Sequence, residues 1–198
     1  IKNKRNEFPK VAAYFNDSIH DSPVLSAELN RDTFHICLND FPSYCFVDAL
    51  CDLTDIKIKP KDRILPVEII FRNLNKFSVS KLNNNQKTIP LSFNKFKKYI
   101  NSYLYSEFKE LNNDKVDLGL IFTLAKKPNT ILFEIDCSKI EFIEKQEEFV
   151  MKYFDNTYLS LFKKFEIKRL AGEYFDYSIA LEFIKKEIAG HEEIKKPC

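Results

Sequence analysis

Apolar and polar positions alternate over Val24–Leu29 and again over Phe34–Leu38. Strict alternation marks a strand with one buried face. The polar residues between the runs form a turn, so the pair predicts a β-hairpin. On its second strand Phe34, Ile36 and Leu38 share one face, and His35 and Cys37 share the other. Leu65–Leu74 predicts a further strand, Lys76–Leu82 its partner, and NNNQKT the loop that follows. Asp117–Leu124 and Thr130–Cys137, joined by a turn at Pro128, predict a second hairpin, which KIEFIE extends. Within Asn39–Pro66, the segment PSYCFVDALCDL (Pro42–Leu53) fits strand or helix.

Elsewhere the period lengthens to that of a helix. Ser92 is placed to cap a helix running to Leu111, with Phe93, Phe96, Ile100, Tyr103, Leu104, Phe108 and Leu111 near one face. Gln146–Phe165 carries a stripe through Phe149, Val150, Tyr153, Phe154, Thr157, Leu161 and Phe165. Glu147 and Glu148 in its first turn and Lys163 and Lys164 in its last suit the helix dipole. Asp176 or Ser178 opens a final helix that Gly190 is expected to end. Pro9–Phe15 predicts a short helix near the start. Hairpins followed by helices predict an α+β fold: an antiparallel sheet built from hairpins, with helices packed on one face and a C-terminal helical pair. The expected division is a core at 1–145, the helical pair at 146–190 packed on it, and a disordered tail at 191–198.

Composition narrows the class without naming a chemistry. The 198 residues are 44% hydrophobic and 30% charged, the balance of a globular protein. The net charge of +2 supplies no strong field for nucleic acid or anionic membrane. Residues 1–100 carry 16 basic and 11 acidic side chains and residues 101–198 carry 15 and 18, so the halves stand at +5 and −3. No apolar run approaches a membrane span. Five cysteines without regular spacing point to a reduced cytoplasmic setting. Cys37 and Cys137 lie inside strand patterns, where a thiol acts as a small hydrophobe. The three glycines form no phosphate-binding loop, and no cofactor is expected.

The sharpest local feature is His20-Asp21-Ser22, followed by Pro23. A catalytic reading needs an imidazole, a carboxylate and a hydroxyl to converge, which adjacent residues in a turn rarely do. The favoured reading is a turn held by short polar side chains, with Pro23 keeping Ser22 extended. His20, His35 and His191 show no metal-ligand spacing, so no metal site is expected. Carboxylate pairs such as Glu134 with Asp136 and Glu107 with Glu110 read as solvated faces. Lys57–Arg63, with Lys95, Lys97 and Lys98, is the best basic patch, and Tyr99 and Tyr103 nearby could stack on bases. A polar loop and an exposed helix face explain it more simply. The aromatic stretches YINSYLYSEF and KRLAGEYFDYS hold rings beyond what one small core is expected to take, which suggests a partner or a dimer.

Four motifs occur in order: His20-Asp21-Ser22, Phe71-Arg72-Asn73, Tyr103-Leu104-Tyr105-Ser106-Glu107 and Cys137-Ser138-Lys139-Ile140. Over Tyr14–Glu144 the chain thereby resembles an uncharacterised family of bacterial proteins of unknown function. That family has an H-D-S/A turn, a strand ending F-x-N, a W-L-Y-x-E segment and a late C-x-x-I strand end. Tyr103 stands here where the family usually has Trp. The resemblance implies a bacterial β-rich chain and no activity; similar small chains beside toxins suggest, by analogy, an immunity-like role. Following it, the expected binding residues are His20, Asp21 and Ser22 with Tyr103, Tyr105 and Glu107. No catalytic residue is expected. The overall expectation is a non-enzymatic protein-binding domain, with a protein partner or homodimer, no membrane, and nucleic acid disfavoured. The alternatives are a hydrolase using His20 with a distant acid and an RNA binder through Lys57–Arg63.

Overall fold

A computed structural model describes residues 15, 21–54, 56–82, 88–111, 116–124 and 127–194. It has the expected α+β architecture: one antiparallel sheet with the C-terminal helices packed against it. The strands are β1 (Val24–Asn30), β2 (Thr33–Asn39), β3 (Pro66–Leu82), β4 (Thr88–Pro90), β5 (Ile100–Leu111), β6 (Val116–Leu124) and β7 (Lys127–Glu144). Six of them follow the order β1-β2-β3-β7-β6-β5, and β4 pairs with the far end of β3. The sheet curls until its ends approach, where an isolated bridge joins Pro23, just before β1, to Ser102 near the start of β5, so it is a partly closed antiparallel barrel.

Alternation fills the barrel. Phe34, Ile36 and Leu38 point inward from β2, Val67, Ile69 and Phe71 from β3, and Ile131, Phe133 and Ile135 from β7. Phe34 is the hub, with the rings of Phe77, Phe133 and Phe71 centred 4.9, 5.5 and 5.7 Å away. Both expected hairpins form, β1 with β2 and β6 with β7.

Two strand expectations change. The two strands foreseen at 65–82 are one 17-residue strand, β3, which pairs with β7 along its length and carries a register shift between Leu74 and Lys76. Asn73, expected to close a strand, lies mid-strand with φ 54°, a left-handed conformation that asparagine tolerates better than most residues. Its Nδ2 donates to Ser138 Oγ at 2.8 Å, and Asn75 Nδ2 donates to Asp136 Oδ1 at 3.1 Å, so the neighbouring strand holds the bulge.

The helix expected from Ser92 to Leu111 does not form. One turn, α2 (Phe93–Phe96), and a 3-10 turn (Lys97–Tyr99) lead into β5, so Tyr103, Tyr105 and Glu107 stand on a strand. Ser92 makes no side-chain cap bond. The tyrosines and phenylalanine of INSYLYSEF are strand formers, and pairing with β6 along the strand outweighs the i, i+3, i+4 pattern.

The ambiguous region is a helix, α1 (Phe41–Leu53), with Asp40 as its N-cap and Pro42 in its first turn. The first member of the expected C-terminal pair is divided into α3 (Gln146–Tyr153) and α4 (Asn156–Leu170). Phe154 turns extended between them, and Asp155 caps α4 through Thr157 N at 2.8 Å and Tyr158 N at 3.3 Å. Helix α5 (Tyr177–Ile194) starts at the expected Asp176, whose Oδ1 accepts from Ile179 N at 2.9 Å. It runs past Gly190, an interior glycine costing only about 1 kcal/mol.

Helices α1, α3, α4 and α5 enclose a second core that shares no residue with the first. Phe46, Phe162, Phe165 and Phe175 are fully buried there, with Phe165 centred 4.7 Å from both Phe46 and Phe175. Of the stretch KRLAGEYFDYS, this second core takes up Phe175. No helix among the described residues is long and apolar enough to cross a membrane.

Candidate functional site

The chain passes between barrel and helices at three neighbouring points. Strand β2 leaves at Asn39, β3 begins at Pro66 opposite it, and β7 leaves at Glu144 opposite Val67. Polar side chains gather at this end. Asp40, fully buried, receives Ser43 N at 3.4 Å on Oδ1; Oδ2 takes Ser43 Oγ at 3.0 Å, Gln146 Nε2 at 3.0 Å and Arg169 Nη1 at 2.5 Å. Arg169 is also fully buried. Its Nη2 lies 3.0 Å from Glu166 and 3.9 Å from Glu144, and its guanidinium lies over the Phe165 ring at 5.8 Å. The cluster joins the start of α1, the end of β7, α3 and α4. A buried charge needs such partners, because an unpaired one would cost several kcal/mol.

Sequence reasoning did not single out Asp40, Gln146 or Arg169. Asp-Phe-Pro-Ser was a readable cap signature for Asp40. Nothing local marks Arg169, which meets Asp40 across 129 positions.

Of the expected site residues, His20 lies outside the described residues, as do the short helix at 9–14 and the last four residues. Asp21 is exposed with φ 62°. Ser22 is fully buried, and its hydroxyl accepts Phe41 N at 3.1 Å, tying the turn to the first turn of α1. That bond is longer in range than the local turn contacts expected of it. Tyr103, Tyr105 and Glu107 pair through their backbones with Phe122, Ile121 and Gly119; their side chains lie outside the described set. The Pro23–Ser102 bridge sets the backbones of the two expected groups side by side.

The turn also has a neighbour that the sequence did not indicate. Tyr174, in the connection between α4 and α5, is 49% exposed. Its phenol is pushed above the usual tyrosine value, by partial burial first and then by the carboxylates of Asp176 and Asp21 and the thiol of Cys45. Ile179, in the first turn of α5, is 41% exposed, while Phe175 between them enters the helical core. Tyr177 donates from its hydroxyl to Asp52. So KRLAGEYFDYS divides into core and surface.

The other candidates are structural. Arg63 donates Nε to Ile58 O at 2.8 Å and pairs with Asp48, so the basic loop spends its arginine internally. Glu134 accepts Ser78 Oγ at 2.9 Å across β3 and β7. The thiols of Cys45 and Cys137 are both pushed up to about 12, chiefly by burial, which suppresses the nucleophilic thiolate. Among the described residues no group of three His, Cys, Asp or Glu side chains could hold a metal. Comparison with protein-family models, with curated proteins and with solved structures finds no match.

Proposed function

We propose that the chain is a non-enzymatic protein-binding domain, of the immunity-like or regulatory kind that analogy with small chains beside bacterial toxins suggests. The observation that supports the reading is the exposed surface at Tyr174 and Ile179, beside Asp21 and Asp176. Tyrosine is an effective interface anchor because it buries a large rigid area and still offers a hydroxyl. The expected turn contributes to this surface through Asp21, while Ser22 positions it from beneath.

Photo-crosslinking in the native cell tests the reading. A photoreactive residue at position 174 is expected to give a discrete protein adduct, which Ile179→Arg abolishes. The same residue at position 152, on the exposed side of α3, is expected to give none. Equal adducts at both positions, or none at 174, would overturn it. An adduct of twice the chain's mass would identify the partner as a second copy.

A further inference from the structure

Tyr174 and Ile179 lie open to water where the chain enters α5. The charge around them says what covers them. Besides burial, the groups that act on the Tyr174 phenol are Asp176, Asp21 and the Cys45 thiol, and no cation is among them. Asp21 is exposed and Asp176 half-buried. Asp176 Oδ1 accepts from Ile179 N at 2.9 Å, which leaves Oδ2 without a hydrogen bond among the described residues. The cations that precede Tyr174 in the chain are already paired, Lys168 with Glu173 at 2.9 Å and Arg169 with Asp40. A phenol ring flanked by two carboxylates suits a cation, which can lie on the ring face and bond both acids. An apolar or acidic partner would instead strip water from the carboxylates without replacing it.

We propose that the partner's contact segment is basic: an arginine or lysine lies on the Tyr174 ring and pairs with Asp21 and Asp176, while an apolar neighbour covers Ile179. This rests on the binding reading above and names the chemistry of its partner. A different protein is favoured over a second copy. The chain's own exposed lysines, Lys57, Lys59 and Lys61, lie on another stretch. Joining unlike patches of identical chains builds rings or open filaments rather than a closed pair.

The test titrates two hexapeptides, one alternating Leu with Arg and one alternating Leu with Glu, to millimolar concentration into the isotope-labelled chain. The basic peptide is expected to move the amide resonances of Tyr174, Phe175 and Ile179, and the acidic one to leave them in place. Asp21→Asn with Asp176→Asn removes both charges and keeps the backbone roles. Asparagine tolerates the positive φ at position 21 and caps a helix as aspartate does. Two partly exposed pairs are lost, so affinity for the basic peptide should fall roughly three- to tenfold. Glu147→Gln with Glu148→Gln makes the same change in net charge on α3 and should leave the affinity unaltered. Equal movement with both peptides, no movement with either, or equal losses from the two double variants would overturn the basic partner. So would a crosslinked adduct of twice the chain's mass. A discrete adduct at position 174 that the Asp21 and Asp176 changes leave untouched would remove the basic partner while the binding reading stands. No adduct at 174 in the otherwise unaltered chain removes both, so the two failures are distinguishable.

Discussion

The barrel and the helical layer bury phenylalanine to the same extent by different routes. In the barrel the buried side chains come from alternating positions on strands, as in Phe34, Ile36 and Leu38, so each strand declares its inward face. The helical core is gathered from α1 and from α3–α5, which β3–β7 separate along the chain, with Phe46 from α1 meeting Phe162 and Phe165 from α4. Neither route supplies the polar cluster beside the sheet, where Asp40 at the start of α1 meets Gln146 of α3 and Arg169 of α4. Apolar burial thus builds each unit, and a directional polar contact sets how the helices seat on one another.

The largest expected effects test whether the two cores are independent. Phe133 and Phe165 are both fully buried among other rings. Either change to Ala is expected to cost about 3–5 kcal/mol in denaturant unfolding. Distant sites without shared partners add to within about 0.5 kcal/mol, so the double variant should lose the sum of the two. A larger departure from additivity would mean that the cores act as one, against the division drawn here.

That division also explains what the sequence disclosed. The hairpins β1–β2 and β6–β7 were legible because their pattern has period two and their turns are short. The continuity of β3 was hidden by Asn73, Leu74 and Asn75, which read as a strand end, whereas β7 supplies Ser138 and Asp136 to hold them in a bulge. Strand β5 was read as a helix because its apolar residues satisfy both periods, and the partner that decides, β6, comes later in the chain. Helix α1 was unreadable because apolar residues occupy nearly every side of it. At the candidate site, the Asp21–Ser22 turn was legible as a turn, and its long-range bond to Phe41 was not. Arg169 was invisible, since a lone arginine near a helix end reads as solvated surface and only the folded chain brings it to Asp40.

A smaller effect isolates the helical layer. Asp155 breaks what would be one long helix into α3 and α4 by capping the second. Asp155→Ala removes acceptors from two amides and is expected to cost about 1 kcal/mol of stability. Hydrogen exchange should quicken at the start of α4 and stay unchanged in β7. Faster exchange in both would mean that the two layers do not open separately, against the two separate cores.

The smallest effect belongs to the outer face of the barrel and appears as a dependence on pH. Lys139 Nζ lies 2.6 Å from Glu141, and Arg72 Nε lies 2.8 Å from it across the strands. These bonds, from Lys139 first and Arg72 second, hold the carboxyl below its ordinary value of 4.5. A depressed carboxylate stabilises the fold fully above its unfolded pKa and loses that contribution as pH falls through the lower folded one. The loss therefore falls below about pH 4.5. Because the pairs are partly solvated, Glu141→Gln is expected to cost less than about 1 kcal/mol at neutral pH. The gap to the unaltered chain should close as pH falls through that window, and added salt should narrow it at pH 7. The buried Asp40–Arg169 pair, screened far less by salt, should keep its effect under the same change. If Asp40→Asn and Glu141→Gln responded to salt alike, the buried cluster would be as wet as the barrel's outer face, against the full burial of Asp40 and Arg169.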